Sequence, residues 1–84
     1  MYEIYLEKAA ERDFKRLPMD VFQRVVDHIR ALSETPRPPG CHKIMGSKND
    51  WRSRIGDYRV IYQIDEKAEI VRVMRVRHRR EAYR

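Results

Sequence analysis

The dipeptide Gly56-Asp57 sits between two alternating segments in WRSRIGDYRVIY, residues 51 to 62, and it constrains the chain more than any other feature. A two-residue connection of the Gly-Asp type reads as a tight hairpin, with the glycine supplying the positive φ of a primed turn. The turn then fixes the pairing: Ile55 faces Tyr58, Arg54 faces Arg59, Ser53 faces Val60, Arg52 faces Ile61 and Trp51 faces Tyr62. Because side chains alternate along a strand, Trp51, Ser53, Ile55, Tyr58, Val60 and Tyr62 share a face suited to a core. The opposite face receives Arg52, Arg54, Arg59, Ile61 and Gln63. Like charges directly across a hairpin cost a few tenths of a kcal/mol or more, so Arg54 beside Arg59 calls for an anion between them.

The other elements follow from periodicity. Residues 2 to 6, YEIYL, alternate and suit a first strand, while EKAAERDFKRL runs helical with Ala10, Phe14 and Leu17 on one stripe. Pro18 fits the first turn of a second helix in which Phe22, Val25, Val26, Ile29 and Leu32 recur at three and four. Thr35-Pro36 and Pro38-Pro39-Gly40 end that helix, and His28 falls on its polar flank. HKIM reads as a short strand, followed by a GSKND loop, the hairpin, a DEKAE turn and a last strand over residues 70 to 77. Pairing Ile64 with Ile70 places Val60 beside Met74 and Tyr58 beside Val76 on the core face, with Ile61 beside Val73 and Arg59 beside Arg75 on the other. It also sets Arg72 against the ring of Tyr62. The expected fold is α+β: an N-terminal strand and an antiparallel helix pair packed on one face of an antiparallel β-sheet, with an open arginine-lined face and a short C-terminal tail. Eighty-four residues make a single domain, 1–84, with a modest core.

Charge is distributed unevenly. Residues 1 to 40 carry seven basic and seven acidic residues, and residues 41 to 84 carry twelve and six, so the net charge of +6 lies in the second half. From Arg72 onward the chain reads RVMRVRHRREAYR, six arginines and His78 against Glu81. Such a concentration points to phosphate, an acidic protein partner, or both. The opening MYEIYLEKAAER is charged throughout, so no membrane span or secretory signal is expected. Cys41 is alone and makes no internal disulfide, which suits a reduced, cytoplasmic setting.

Several chemistries fit poorly. His28, His42 and His78 are far apart and form no ligand pattern, so no metal is expected. The glycines at 40, 46 and 56 match no phosphate-binding loop, and no cofactor is implied. Arginine with His78 and Tyr83 remains. Cleaving RNA without a metal needs a base for the 2′-hydroxyl proton, an acid for the leaving oxygen, and cations around a phosphorane that gains negative charge. Arginine serves the third task through its fixed charge and bidentate fork, and it serves the first badly because its pKa exceeds about 12. His78 or Tyr83 can take a proton role or stack on an unpaired base, and Tyr83 equally suits packing the C-terminus down.

WRSRIGDYRVIYQID followed by VRVMRVRHRREAYR resembles the RelE branch of the RelE/ParE toxin superfamily, the ribosome-dependent endoribonucleases of type II toxin–antitoxin pairs. The likeness runs over almost the whole chain and is most specific in GDYRVIY and VRHRREAY. It implies cleavage of messenger RNA in the ribosomal A site by 2′-hydroxyl attack, and neutralisation by a RelB-like antitoxin. By position, Arg59 matches the family arginine that holds the scissile phosphate. Arg79 resembles the arginine that stabilises the transition state or helps protonate the leaving group, and Tyr83 matches the tyrosine that orients or stacks on the substrate. Arg52 and Arg54 stand where well-known members carry lysines, one of them proposed as the base, so that either His78 substitutes, or the enzyme is slow, or this member binds the ribosome without cutting well. Catalytic candidates are therefore Arg54, Arg59, His78, Arg79 and Tyr83, and RNA-binding candidates are Lys48, Arg52, Arg75, Arg77 and Arg80. Two other functions remain open: gyrase inhibition, as in the ParE branch, and ribosome or RNA binding without turnover.

Overall fold

The chain, described from residue 1 to residue 82 by a computed structural model, runs β1 (Glu3–Leu6), α1 (Lys8–Lys15), α2 (Met19–Leu32), β2 (His42–Lys43), β3 (Asp50–Ile55), β4 (Tyr58–Asp65), β5 (Ile70–His78) and α3 (Arg79–Ala82). Five strands make one sheet in the order β1-β5-β4-β3-β2. Strands β2 to β5 pair antiparallel in succession, whereas β1 lies parallel to β5, with Glu3 opposite Ile70 and Leu6 opposite Val73. Ala10 and Phe14 of α1 and Val25, Ile29 and Leu32 of α2 bury against Ile55, Val60, Tyr62, Ile64, Val71, Val73 and Val76 of the sheet. The helical stripes read from the sequence are thus the ones that cover the sheet. Phe22 is the exception on that stripe: it lies at the rim, edge-on to Phe14 at 5.6 Å, and stays exposed.

Polar groups inside this core have partners. Tyr62 is wholly buried and its hydroxyl donates to the Pro36 carbonyl at 2.8 Å, which ties the segment after α2 to the sheet. Burial pushes that phenol's pKa well above its ordinary value. His28 is not on the polar flank of its helix: it is half-buried, with Nε2 2.6 Å from the Oγ of Ser53, which is 2% exposed. The small hydroxyl on the core face of β3 is what admits an imidazole there.

β1 ends at Leu6, and beyond it the edge of β5 has no strand neighbour. Helix α1 covers that edge. The Glu7 N–H donates to the Val73 carbonyl at 2.9 Å, and the Asp13 carboxylate accepts from the Val76 N–H at 2.9 Å. An edge that would otherwise expose unpaired backbone is closed by one side chain.

The β3–β4 register is the one the Gly56-Asp57 turn dictates, from Ile55 opposite Tyr58 to Trp51 opposite Tyr62. The β4–β5 register differs from the sequence expectation. The connecting turn is one residue shorter, with Asp65 opposite Ile70 and Ile64 opposite Val71. Asp65 Oδ1 accepts from the Ala68 N–H, and Glu69 takes a left-handed φ of 56°, which closes the tighter loop. A bulge follows: Tyr62 faces Val73 and Ile61 faces Arg75, so Met74 has no partner. Val73 is consequently a core residue, Val60 meets Val76 rather than Met74, and Arg59 meets Arg77 rather than Arg75. Arg72 lies opposite Gln63, its guanidinium 5.7 Å from the Tyr5 ring and 3.3 Å from Glu7, not beside Tyr62.

Candidate functional site

Pairing across three strands sets Arg54, Arg59 and Arg77 in one row on the face away from the helices. The next row on that face is His42, Arg52, Ile61 and Arg75, because β2 pairs His42 with Arg52. Gly40, His42, Arg52, Arg54 and Arg59 together line a cleft of about 160 Å³.

The arginines of the row are supported differently. Arg59 is 9% exposed, and its Nη1 donates to the carbonyls of Gly56 at 3.1 Å and Tyr58 at 2.9 Å. The turn therefore fixes the guanidinium with neutral acceptors, and no carboxylate pairs with it among the described residues. Burying a cation without a counter-charge is costly, so a bound anion gains what the fold leaves unspent. Arg54 is exposed and has no hydrogen bond or ion pair among the described residues. Arg77 reaches Glu81 only at 3.5 Å, and its buried Nε has no hydrogen-bond partner among the described residues.

The remaining candidates lie elsewhere. The side chain of Arg75 turns to the sheet edge, where Nε and Nη2 meet the two oxygens of Asp13 at 2.8 and 3.2 Å. Burial alone would raise the Asp13 carboxyl, but hydrogen bonds from Arg75 and the Val76 N–H, with the Arg75 and Arg77 charges, hold it below its ordinary value. The hydrogen bond to Asp13 in turn raises Arg75. His78 pairs with Tyr58 on the helix-side face, ring centroids 5.3 Å apart and nearly perpendicular, in a second cleft with Asp13, Arg16, Arg75, Arg77 and Glu81. Its Nδ1 accepts from the Arg80 N–H. The sheet therefore separates His78 from the Arg54–Arg59 pair. Arg79 clips the chain back to the hairpin: its N–H donates to the Asp57 carbonyl at 2.7 Å and its Nε lies 3.9 Å from the Asp57 carboxylate. Arg80 is exposed on α3, Lys48 is exposed in the loop before β3, and Tyr83 lies outside the described residues. No group of three or more His, Cys, Asp or Glu comes together among the described residues to hold a metal.

Sequence reasoning missed His42 as a cleft residue. A two-residue strand after Pro38-Pro39-Gly40 carries no periodicity of its own, and only its pairing with β3 reveals which face it shares.

Residues 4–83 match the family described as the ParE toxin of the type II toxin–antitoxin system parDE. The chain is 31% identical to Toxin RelG of Mycobacterium tuberculosis over 84 residues, covering 99% of this chain and 97% of that one. Among solved structures it is similar to the toxin–antitoxin complex RelBE2 from Mycobacterium tuberculosis, at 28% identity, TM-score 0.82, and coverage of 92% of this chain and 96% of that one. It is also similar to the archaeal RelE–RelB complex from Pyrococcus horikoshii, at 25% identity, TM-score 0.84, and coverage of 95% and 97%. The isolated RelE toxin of Escherichia coli, at 22% identity and TM-score 0.82 over 99% of this chain and 92% of that one, shares the fold.

Proposed function

This chain belongs to the RelE/ParE superfamily of type II toxin–antitoxin toxins, and on that premise we propose that it is a metal-independent endoribonuclease that cuts messenger RNA in the ribosomal A site. The supporting observation is the row Arg54–Arg59–Arg77 that strand pairing sets side by side, with Arg59 buried and lacking an acidic partner among the described residues, and Arg52, Arg54 and Arg59 lining one cleft. Attack of the 2′-oxygen on phosphorus builds a phosphorane that carries more negative charge than the diester. Cations already fixed at its oxygens stabilise that state without reorganising. Arg59, held by the turn carbonyls, grips the scissile phosphate, and Arg54 and Arg77 flank it. The register gives Arg77 the place beside Arg59, while Arg79, paired with Asp57, holds the C-terminal segment near the substrate. Arg52 lines the same cleft and serves the flanking backbone, with Lys48 and Arg80 as outer phosphate contacts.

Within this reading the resting partner is a RelB-like antitoxin whose acidic residues cover the arginine row, and the working partners are ribosome and messenger RNA in the cytoplasm. The decisive test induces the chain in a bacterial cell without a partner and maps messenger RNA 5′ ends within minutes. New ends in translated frames, reduced in Arg54→Ala and reduced at least about 100-fold in Arg59→Ala, are the expected result. New ends at wild-type level in Arg59→Ala sink the assignment.

The match to the ParE description favours one second reading, inhibition of DNA gyrase through a protein contact. A supercoiling assay with purified protein separates the two, because a gyrase poison yields cleaved DNA and a ribosomal nuclease does not. Growth arrest with neither product indicates binding to the ribosome without turnover.

A further inference from the structure

We infer that His42 is the general base of the cleavage step, an inference that rests on the nuclease reading above. The cleft formed by Gly40, His42, Arg52, Arg54 and Arg59 contains three guanidiniums, a glycine and one imidazole. A guanidinium stays protonated at any physiological pH and accepts no proton. Among the described residues no carboxylate or lysine lines the cleft, and His78 pairs with Tyr58 on the helix-side face. Among the described residues lining the cleft, His42 is the one whose side chain can accept a proton.

Its placement suits the task. β2 pairs His42 with Arg52, which puts it diagonally next to Arg54 on the open face. Diagonal neighbours across a sheet lie about 7–8 Å apart at the backbone, within reach of one nucleotide bridging both side chains. The charged groups facing His42 are Arg52 and Arg54 from β3 and Arg59 from β4; Lys43 alternates to the other face of its own strand. A nucleotide whose phosphate sits on Arg54 and Arg59 and whose preceding ribose extends toward β2 presents its 2′-hydroxyl to the imidazole. The O2′ proton passes to a ring nitrogen of His42, O2′ bonds to phosphorus, the P–O5′ bond breaks, and the departing 5′-oxygen takes a proton from solvent. The products are a 2′,3′-cyclic phosphate and a 5′-hydroxyl, and His42 later returns its proton to water.

The test measures single-turnover cleavage of messenger RNA on programmed ribosomes against pH, for wild type, His42→Gln and His78→Gln, with thermal unfolding to show that the variants fold. His42 is exposed, so its replacement leaves the core untouched. Expected are a wild-type rate that falls in acid on a limb of unit slope, a His42→Gln rate at least about 100-fold lower without that limb, and an unchanged profile for His78→Gln. Added imidazole restores part of the His42→Gln rate. A His42→Gln variant that cuts at the wild-type rate, or more slowly with the acid limb intact, overturns the assignment and leaves the nuclease reading standing. Wild-type protein that never cuts overturns both.

Discussion

Arg54 and Arg59 face each other across a hairpin yet are held in opposite ways, one exposed and unsupported, the other packed onto the turn carbonyls. The pair is a local cost accepted for the sake of an anion. Replacing Arg54 with alanine relieves the like-charge contact and is expected to raise unfolding stability by about 0.2–0.5 kcal/mol in urea titrations, while messenger RNA cleavage falls. Loss of both stability and activity would contradict that picture. Asp13 plays the reverse part. Its carboxylate accepts from Arg75 and the Val76 N–H, so Asp13→Ala strands a backbone donor at the β5 edge and costs about 2–3 kcal/mol. Because the folded carboxyl titrates below its ordinary 3.8, its contribution is present above that pH and is lost as pH falls through the folded value.

His28 gives a separate signal. Burial lowers its folded pKa below 6.5, so the unfolded chain binds more protons in the interval between the two values, and stability declines as pH drops below 6.5. His28→Gln keeps a side chain able to bond Ser53 and flattens that decline, which chemical denaturation at several pH values will show. Nothing in the sequence disclosed this pairing, since helical spacing alone placed His28 toward water; the short Ser53 side chain facing it across the interface is a tertiary fact.

At the scale of elements, the hairpin was legible because two turn residues leave only one register, and the helices were legible from their apolar spacing. The β4–β5 register was not. A four-residue connection and a five-residue one are equally compatible with DEKAE, and a bulge leaves no mark in a strand where valine and arginine alternate on both sides of it. The bulge decides what the last strand presents. Upstream of Met74, Val71 and Val73 face the core; downstream, Val76 does, with Arg77 outward beside Arg59. Deleting Met74 removes the bulge and joins Tyr62–Val73, Ile61–Arg75, Val60–Val76 and Arg59–Arg77 into one regular ladder, so such a variant is expected to keep Val76 in the core and Arg77 outward and to fold by circular dichroism. Met74→Val keeps the count and costs less than about 1 kcal/mol. The row Arg54–Arg59–Arg77 thus depends on Met74 staying out of the ladder, since pairing it in regular alternation after Val73 would turn Arg77 inward.

For the molecule as a whole, the helical half is electrically balanced and the sheet-forming half carries the excess of +6. If the proposed nuclease reading holds, attachment to a ribosomal phosphate surface weakens steeply with salt, the logarithm of affinity falling linearly with the logarithm of salt concentration, and each cleft arginine changed to alanine reduces the slope by about one. Sedimentation binding across a salt series measures this, and a slope indifferent to Arg52→Ala and Arg54→Ala would place the contact elsewhere. The charge imbalance was plain in the sequence; which arginines face one another, and which are spent on Asp13, Glu7 or Asp57, required the fold.

The first strand lies parallel to the last, and the last sits between it and β4. During synthesis β1 has no neighbour to pair with until the final segment emerges, so a partly made chain has neither a closed sheet nor the arginine that completes the row. Closure of the sheet and assembly of the arginine row therefore coincide, both waiting on β5.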